Sequence, residues 1–515
     1  MSVRDHSPLP LGPFKGLWQR GDPENCPLDH FDEANNITRL GKDWETRSGI
    51  AISQSVVGPL KNIKRGYNYP RLTSNDEIVL VENDDGEGEI YHIVNDGSGN
   101  VFGPLLTIDG MTDFAFVPYA GRAYISPFGT FQTGDINIQK GLEDEFLYVY
   151  LGAGAAARKA AGAGATDTPL TIANGAAGHT DAGFHLFGTV FEYDSGYLSP
   201  IKQITGFTTS ANSSVSFSGI QTTGDPTVVR VHIVATIKIT DYNGNEEGYE
   251  FFFVPDATVN NGTLVLNNVS FFDQDLVDSA WHLLDNYTEI PAGCGLSIYR
   301  NRLILNTTFD DVNLCLVSAE GEPEAISQVD GLLTVTPESS PLTCTQELRD
   351  VLYVGRRTKC VGYTDNGDVP TSWPPVLIDS GRGWPVHGIA TVLDSGGTTV
   401  DYLIVANLSG VMIFNGKFIL PELSYKISHL WANQDRNLFR LIQIAILSTE
   451  EKHWILIVLP DGRLLLGDYA DGLDHKNINW VPQSFYVTVN CVLVVNIDDI
   501  IIGMDNPNIN VPDLS

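Results

Sequence analysis

The segments LIVANLSGVMIF (403–414) and ILIVLPDGRLLLGDY (455–469) decide the fold of this chain. In each one, a run of β-branched and aliphatic residues leads into a short turn that contains glycine, and a second apolar run follows the turn. This order predicts two antiparallel strands joined by a tight turn. The same order occurs in IVLVENDDGEGEIYHIV (78–94) and, more loosely, in VLYVGRRTKCVGY (351–363). Hairpins therefore recur along the chain.

The spacing of these hairpins indicates how they are arranged. Three of their turns lie near residues 356, 409 and 461, about 50 residues apart, the period expected when each unit is a four-stranded blade of a β-propeller. A second repeat, Tyr-x-x-Arg-x-apolar-apolar, occurs at 119–125 and at 299–305. Long helical periodicity is almost absent. The sequence therefore predicts an all-β fold, a β-propeller.

The pattern of hairpins breaks in the middle of the chain. Residues 151–183 are rich in glycine and alanine and predict an exposed loop. Five strand candidates follow within residues 184–272, which favours a small β-sandwich inserted between blades. A modest helix candidate covers 271–287. The residues expected on one face of this helix are Phe272, Leu276, Leu283 and Leu284.

These features divide the chain into four predicted parts. Residues 1–55 form an extended, turn-rich segment that contributes to ring contacts or to propeller closure. Residues 56–150 form the first part of the propeller, and residues 151–285 form the inserted β-sandwich with its Gly/Ala-rich entry loop. Residues 286–515 form the second part of the propeller. The predicted propeller is thus discontinuous in sequence.

Charge restricts the classes of partner. The chain has 63 acidic and 31 basic residues, a formal net charge of −32 at pH 7, which disfavours sequence-specific DNA binding because phosphates are repelled. Two interpretations of this charge stay open: it keeps the protein soluble, or it forms a wall that repels DNA. The sequence shows neither a signal peptide pattern nor a long apolar segment, so no membrane span is predicted.

Motifs for catalysis are absent. The six cysteines are scattered without a CxxC pair, so free, buried thiols are expected rather than a zinc site or a disulfide framework. There is no Gly-x-Ser-x-Gly, His-Glu-x-x-His or Gly-x-x-x-x-Gly-Lys motif. We therefore predict a non-enzymatic protein with no catalytic residue, no metal and no cofactor. A pair of glycosidase carboxylates stays open as an alternative, as does calcium at the acidic loops 84–89 and 241–247.

Three passages carry a resemblance to a known family. Residues 16–50 are a polar, turn-rich opening that ends in Thr-Arg-x-Gly at 46–49. The turn Ser-Gly-Tyr-Leu-Ser-Pro (195–200) follows an aromatic strand, and GLSIYRNRLILNT (295–307) is followed by SAEGEPEAIS (318–327). In order and spacing, these passages resemble the tail nozzle and packaged-DNA stabilisation proteins of short-tailed, podovirus-like bacteriophages.

The resemblance implies a virion structural protein that is assembled in the host cytoplasm and forms a homohexameric ring in the tail. Such a ring contacts the adaptor or connector protein, the tail fibres and a needle or plug protein. It retains packaged DNA and lets the DNA pass without specific binding during ejection. The candidates for an acidic channel lining are Asp84, Asp85, Glu87 and Glu89. The candidates for contacts between subunits are Lys61, Lys64 and Arg65.

A second function stays open, a carbohydrate-binding or depolymerising β-propeller of the tail. Such a protein exposes aromatic platforms to its ligand. The tryptophans here are instead dispersed along the chain, as expected for residues in blade cores. They are Trp18, Trp44, Trp281, Trp373, Trp384, Trp431, Trp454 and Trp480.

Overall fold

The computed structural model describes residues 37–40, 43–46 and 62–504, except for 72–73, 95–99, 134–135, 153–156, 162–167, 195, 243–248, 279–288, 328, 336–339, 380–382, 385–389, 394–400, 450–451, 484, 486–487 and 496–498. The described residues form an all-β fold of small antiparallel sheets, which confirms the predicted class. Their α-helices are short, α1 (Asp273–Asp278) and α2 (Ser428–Ala432). Three 3-10 helices cover Pro370–Ser372, Leu423–Ile427 and Arg436–Leu441.

The first sheets of the chain follow one another in sequence. A separate hairpin consists of β1 (Ile37–Leu40) and β2 (Asp43–Thr46). Sheet 1 contains, in spatial order, β3 (Asn62–Pro70), β4 (Asn75–Glu82), β5 (Gly88–Ile93) and β6 (Val101–Ile108). Sheet 2 contains β7 (Asp113–Tyr119), β8 (Arg122–Thr133), β9 (Ile136–Gly141), β10 (Tyr148–Tyr150) and β11 (Arg158–Lys159), in the order β11-β10-β8-β7 with β9 paired to β8.

Two sheets lie between sheets 2 and 3 in sequence, and together they are called the insert. Insert sheet A has the order β12 (Thr171–Ala177), β15 (Ser213–Ser218), β18 (Val265–Val269). Insert sheet B has the order β14 (Lys202–Thr209), β13 (Gly183–Tyr193), β16 (Val228–Thr236), β17 (Phe251–Asn260). Both sheets contribute to one cluster of buried apolar residues, which includes Phe217 of sheet A and Phe187 of sheet B.

After the insert, the pattern of four consecutive strands returns. Sheet 3 contains β19 (Gly293–Tyr299), β20 (Arg302–Thr308), β21 (Leu314–Val317) and β22 (Leu332–Thr334). Sheet 4 contains β23 (Leu342–Leu348), β24 (Val351–Arg356), β25 (Cys360–Tyr363) and β26 (Pro375–Asp379). Sheet 5 contains β27 (Ala390–Leu393), β28 (Asp401–Ala406), β29 (Val411–Phe414) and β30 (Phe418–Ile419). Sheet 6 contains β31 (Gln443–Ser448), β32 (His453–Val458), β33 (Leu464–Asp468) and β34 (Asn479–Gln483), and sheet 7 contains β35 (Val489–Val495) and β36 (Asp499–Met504).

The predicted hairpins are confirmed, and they occupy equivalent positions. Each one is formed by the second and third strands of a sheet: β4–β5, β24–β25, β28–β29 and β32–β33. The Tyr-x-x-Arg repeats join the first and second strands of sheets 2 and 3. Their central residues, Ala120-Gly121 and Arg300-Asn301, have positive φ, as the two-residue turn of a right-twisted hairpin requires. Sheet 4 repeats this turn at Arg349-Asp350 without the tyrosine motif.

Clusters of buried apolar residues join neighbouring sheets in chain order. Ile78 and Leu80 of sheet 1 pack with Phe114 of sheet 2, and equivalent clusters join sheets 2 and 3, 3 and 4, 4 and 5, 5 and 6, and 6 and 7. The alternate residues Val79 and Val81 belong to a cluster on the opposite face of sheet 1. Successive side chains of a strand point to opposite faces, so sheet 1 is apolar on both of them.

Sheet 1 also contacts the C-terminal end of the described chain. Strand β3 lies against β35 and β36, and the Asn490 amide nitrogen donates to the Ile63 carbonyl oxygen at 2.9 Å. The backbones approach closely, since a Cβ atom at Gly503 would lie 2.8 Å from the Ile63 side chain. Gln443 of β31 donates to the Gly66 carbonyl oxygen at 3.0 Å. Residues separated by most of the chain length are therefore in direct contact.

Several details differ from the sequence predictions. Phe272 was expected on the buried face of a helix, but it precedes α1 and is 45% exposed, whereas Leu276 is buried. Strand β11 belongs to sheet 2, so this sheet continues past residue 150, the predicted start of the insert. Strands β12 and β14 were not predicted, because their small and polar residues lack an alternating apolar pattern. Residues Leu283 and Leu284 lie outside the described residues.

The predicted burial is confirmed for five cysteines and four tryptophans, whereas Trp454 is only partly buried. Five cysteines are free and buried: Cys294, Cys315, Cys344, Cys360 and Cys491. Burial raises the pKa of the Cys294 thiol to about 12. Four tryptophans are also buried: Trp373, Trp384, Trp431 and Trp480.

The contact between sheets 1 and 2 contains a buried ion pair whose loss has a measurable cost. Arg65 of β3 donates to both carboxylate oxygens of Asp113 at the start of β7, with Nη2 2.6 Å from Oδ2, and also to the Arg440 carbonyl oxygen at 3.1 Å. We expect Asp113→Asn to destabilise the protein by about 3–5 kcal/mol, because it leaves a buried guanidinium without its counter-charge. The measurement is the midpoint of urea unfolding.

The matched control for this variant is Glu82→Gln. Glu82 pairs with Lys64 at 3.1 Å, and both side chains are substantially exposed. An exposed pair of this kind contributes less than about 1 kcal/mol, so the unfolding midpoint should stay near that of the wild type. Equal midpoints for both variants would contradict a structural role for the Arg65–Asp113 pair.

Candidate functional site

The acidic turn between β4 and β5 is organised by one asparagine. The Asn83 side-chain oxygen accepts from the backbone N–H of Asp85 at 3.0 Å and of Glu87 at 2.9 Å, which forms a compact local turn. Gly86 has a φ of 84°, a left-handed conformation that glycine adopts without strain. Asp84, Asp85 and Gly86 are exposed at the tip of the turn. The carboxylates of Asp84 and Asp85 are therefore available to face an acidic passage or solvent.

Glu89 does not belong with these exposed residues. It lies in β5, is 8% exposed, and accepts from the Tyr91 hydroxyl at 2.6 Å and from the Asn83 amide at 3.2 Å. The expectation that Glu89 lines a channel is therefore wrong at the level of the single chain, because its carboxylate is held inside the sheet. Glu87 is half-buried and accepts a hydrogen bond from the Asn83 amide. Its carboxylate is therefore less exposed than those of Asp84 and Asp85 and less buried than that of Glu89.

The basic candidates for subunit contacts divide in a similar way. Lys61 lies outside the described residues. Lys64 is half-buried and forms an ion pair with Glu82. Arg65 was expected at a surface, but it is 3% exposed and its guanidinium binds Asp113 within the same chain. Arg65 is therefore an internal structural residue and is not available to a neighbouring subunit.

The turns equivalent to the acidic one do not share its charge. The turn after β24 contains Arg357 and Lys359, the turn after β28 is the uncharged Asn407–Gly410, and the turn after β32 contains Asp461 and Arg463. Asp461 and Arg463 form an ion pair with each other. The acidic excess is therefore not concentrated in this one class of turn.

A buried charge cluster joins the insert to sheets 2 and 3. Glu324, in the loop between β21 and β22, is 2% exposed and accepts from Arg122 Nη1 at 2.9 Å and Arg158 Nη1 at 2.7 Å. Arg158 also donates to Asp225 of the insert, with Nη2 2.6 Å from Oδ2. The Tyr197 hydroxyl of the insert donates to the Glu324 carbonyl oxygen at 2.9 Å. We call these five residues the insert junction.

The surroundings of the insert junction favour the ionised form of Asp225. Burial alone would raise the pKa of Asp225, but the hydrogen bond from Thr227 and the charge of Arg158 outweigh burial, so this pKa is lowered. Burial raises the pKa of the Tyr193 phenol beside the cluster, and the charge of Glu324 adds to this effect. The tyrosine therefore stays neutral at physiological pH. Two arginines face two acidic residues in this cluster, so their formal charges balance.

The insert junction brings together passages that the sequence analysis treated separately. Tyr197 belongs to the turn 195–200, Glu324 belongs to the passage 318–327, and Arg122 belongs to the first Tyr-x-x-Arg repeat. Arg302 of the second repeat donates to the Ser318 carbonyl oxygen at 3.1 Å. Nothing local to Arg158 or Asp225 signals their roles, since a lone charged residue in a loop has the same sequence pattern whether it is solvated or paired.

A buried hydrogen-bonded chain in sheet 1 resembles catalytic chemistry but lacks access. His92 Nε2 lies 2.8 Å from Asp76 Oδ2, and His92 Nδ1 lies 2.8 Å from the Tyr150 hydroxyl. All three side chains are almost fully buried, and burial lowers the pKa of His92 against the opposing effect of Asp76. A substrate cannot reach these groups, so we assign them to the packing of sheet 1 on sheet 2.

The described part of the chain has neither a cluster of metal ligands nor a membrane-spanning helix. No group of three or more His, Cys, Asp or Glu residues there comes together in a way that could hold a metal ion. In the same part of the chain, no helix is long and apolar enough to cross a membrane.

Comparison with known proteins does not identify a family. No protein-family model and no curated protein matches this chain. Among solved structures, it is similar to Hsv2 of Kluyveromyces lactis, with 12% identity, a TM-score of 0.29, and coverage of 82% of this chain and 97% of that chain. It is also similar to a lectin of Aleuria aurantia, with 9% identity, a TM-score of 0.21, and coverage of 82% and 94%. A third structure, an ancestral GH74 enzyme, has 11% identity, a TM-score of 0.24, and coverage of 94% and 79%. At these TM-scores, the similarities assign neither a fold family nor a function.

The lowered pKa of Asp225 predicts an acid-sensitive junction. A carboxylate whose folded pKa is below its ordinary value of 3.8 stabilises the fold above that pH, and this stabilisation is lost as pH falls through the folded value. Asp225→Asn should therefore weaken the junction at pH 7 and reduce the further loss of stability as the pH falls below 3.8. Hydrogen exchange of insert and sheet 3 amides across this range is the measurement.

Asp194→Asn is the control for the acid response of the junction. Asp194 is an exposed residue of the insert, so its replacement should leave both the exchange rates and their pH dependence unchanged. If Asp225→Asn gave the same amide exchange rates as this control at pH 7, the result would contradict the role of the charge cluster in holding the insert.

Proposed function

We propose that the seven sheets form a closed β-propeller that carries the insert as a β-sandwich between its second and third blades. Contacts between strands support this arrangement, because β3 lies beside β7, β7 beside β19, β19 beside β23, β27 beside β31, β31 beside β35, and β35 beside β3. Four consecutive strands per sheet are typical of a propeller blade. Shared burial of apolar residues from both insert sheets supports the sandwich.

We further propose that this chain is a structural component of a short-tailed bacteriophage virion, a tail nozzle that retains packaged DNA and conducts it during ejection. The observation that carries the proposal is the insert junction. The passages 195–200 and 318–327, on which the resemblance to nozzle proteins depends, contact each other through Tyr197 and Glu324. Passages that resembled the family by chance would have no need to meet, whereas a shared architecture of propeller and insert requires this contact.

The electrostatic mechanism of the proposed nozzle is repulsion. DNA carries a negative charge every ~1.7 Å, and like charges repel it over roughly 8 Å at physiological salt. A ring of six copies, each with a formal charge of −32, would let the duplex slide without binding it. Neutralising several phosphates would instead create an affinity that ejection must overcome. Partners of such a ring are the adaptor, the tail fibres and a needle or plug protein.

The alternative function, a carbohydrate-binding or depolymerising tail component, stays a prediction with less support. The tryptophans that the structure describes as buried lie in the clusters between sheets, so they offer no aromatic platform to a sugar. The carboxylates of the insert junction are paired with arginines and buried, and they are not free to act as a glycosidase acid and nucleophile.

The location of the chain in the particle tests the proposed function directly. An antibody against this chain should label the distal end of the tail in electron micrographs of purified virions. Label restricted to side fibres would favour the carbohydrate-binding alternative. Absence of the chain from purified particles would contradict both functions, and an antibody against the major capsid protein serves as the labelling control.

Reversal of charge in the acidic turn tests the repulsive mechanism. We expect replacement of Asp84, Asp85 and Glu87 by Lys to slow DNA ejection, because three cations per subunit would bind phosphates of the passing duplex. Glu89 is left unchanged, since its carboxylate is buried. The measurement is the rate of DNA release from assembled particles at two salt concentrations, with a larger effect at low salt.

A matched variant distinguishes an effect of the acidic turn on DNA release from an effect of net charge. Its three substitutions to Lys are at Asp310, Glu320 and Asp330, which are exposed residues of sheet 3 connections. Equal slowing by both variants would assign the effect to net charge, and unchanged release in particles that assemble normally would contradict an acidic lining at residues 84–87.

A further inference from the structure

The two outer strands of insert sheet A are sheet edges without the usual protection. An exposed edge strand offers unpaired backbone groups to another chain, and proteins protect such edges with charge, proline or short length. Strands β12 (TIANGAA) and β18 (VLNNV) have none of these protections. The edge strands β19, β27, β31 and β35 also lack them, but each of these lies against a strand of a neighbouring sheet.

These two strands lie at opposite ends of the same three-stranded sheet. Both pair with β15 in the antiparallel sense, so they run parallel to each other. Thr171, Ser218 and Val265 form one row across the sheet, and Ile172, Phe217 and Leu266 form the next row. The pairing of β15 with β18 becomes irregular beyond these two rows, whereas its pairing with β12 stays regular as far as Asn174. The end of the sheet at Thr171 and Val265 is therefore regular on both sides of β15.

The exposure of this end is consistent with a missing neighbour. Six of the seven residues of β12 are exposed. Val265 is 50% exposed, and Leu264 in the turn before it is 58% exposed. Ile172 and Leu266 of the second row pack on the core of the insert, so Thr171 and Val265 lie on the outer face. An apolar, uncharged edge is thus presented to solvent by a strongly acidic protein.

We propose that β18 of one copy of this chain pairs with β12 of the next copy, so that insert sheet A continues from subunit to subunit. Two different surfaces meet in such a contact, so it is head-to-tail and can close into a ring. Copies with a formal charge of −32 repel each other, and they can approach most closely where both surfaces lack ionised groups. Pairing in the parallel sense extends the Thr171–Val265 row across the interface and covers Leu264 and Val265.

This proposal rests on the ring of copies in the proposed function, and it specifies which surface holds the ring together. It differs from the contact expected from the sequence at Lys61, Lys64 and Arg65, of which Arg65 is buried within its own chain. The insert then acts as the connector between subunits, and the insert junction transmits its position to sheets 2 and 3.

Cysteine cross-linking tests the pairing with the full chain. Thr171→Cys and Val265→Cys are made separately in a Cys26→Ser background, in which the described native cysteines are buried. Mild oxidation of a mixture of the two variants should give a disulfide-linked dimer, and a chain with both substitutions should give a ladder of oligomers. Each single variant alone should stay uncross-linked. A dimer of Thr171→Cys alone would indicate a two-fold contact and overturn the head-to-tail arrangement.

A charge on the edge provides a second, independent measurement. We expect Val265→Lys to weaken self-association measured by native mass spectrometry by about tenfold or more, because a lysine on an edge strand blocks strand addition. Val229→Lys is the control, since Val229 is 40% exposed on β16 of insert sheet B, away from both edges. Circular dichroism of both variants verifies that the fold is retained.

The outcomes distinguish this inference from the proposed function. Oligomers that form without cross-links, and that are insensitive to Val265→Lys, would overturn the edge pairing and leave a nozzle held by another surface. A wild-type chain that stays monomeric at high concentration and shows no cross-link would also overturn the edge pairing, while tail labelling in virions would still decide the function. Cross-linked rings from a chain that is absent from virions would support the pairing and contradict the nozzle.

Discussion

The fold depends on the fact that its sheets are apolar on both faces. In sheet 1, Val79 and Val81 are as fully buried as Ile78 and Leu80, although they point to the opposite side. A sheet of this kind is stable only when both faces are covered, and a row of such sheets would leave one bare face at each end. Contact of β3 with β35 and β36 brings the first and last of these sheets together, and in the closed propeller proposed above it removes both bare faces at once. The same constraint explains why the polar groups near this contact are paired internally, as Arg65 is with Asp113.

The insert is attached by polar rather than apolar contacts at its centre. Its own core lies mainly between insert sheets A and B, and Ala325 and Ala319, between β21 and β22, join the same cluster. Glu324 binds Arg122 and Arg158, both of sheet 2, through ion pairs. Buried charge pairs add little net stability compared with apolar packing, but they require one arrangement of their partners. A defined orientation of the insert is what a ring built through insert sheet A requires.

The acidic residues of the chain fall into a buried group and an exposed group, which composition alone does not distinguish. Asp113, Glu324 and Asp225 are buried and neutralised by arginine, and Glu89 is buried against a tyrosine hydroxyl, so these groups contribute no field to a channel. Asp84 and Asp85 are exposed on a compact turn, so they would contribute to the field of the proposed channel if that turn faced it. A repulsive lining must therefore be built from exposed turns of this kind, and the net charge overstates the field that DNA would experience.

The sequence by itself determined the all-β class, the hairpins at residues 78–94, 351–363, 403–414 and 455–469, and the existence of an insert with strands of its own. These features depend on contacts between residues close in sequence, which alternation and turn residues report directly. It did not indicate that Arg65 and Glu89 are internal, nor that Glu324 joins three parts of the chain. Burial and ion pairing of these groups depend on which distant segments pack against them, and a charged residue has the same local pattern in either setting. Only the tertiary structure, by bringing β3 against β35 and the insert against sheets 2 and 3, decided which charges are structural and which sheet edges remain open.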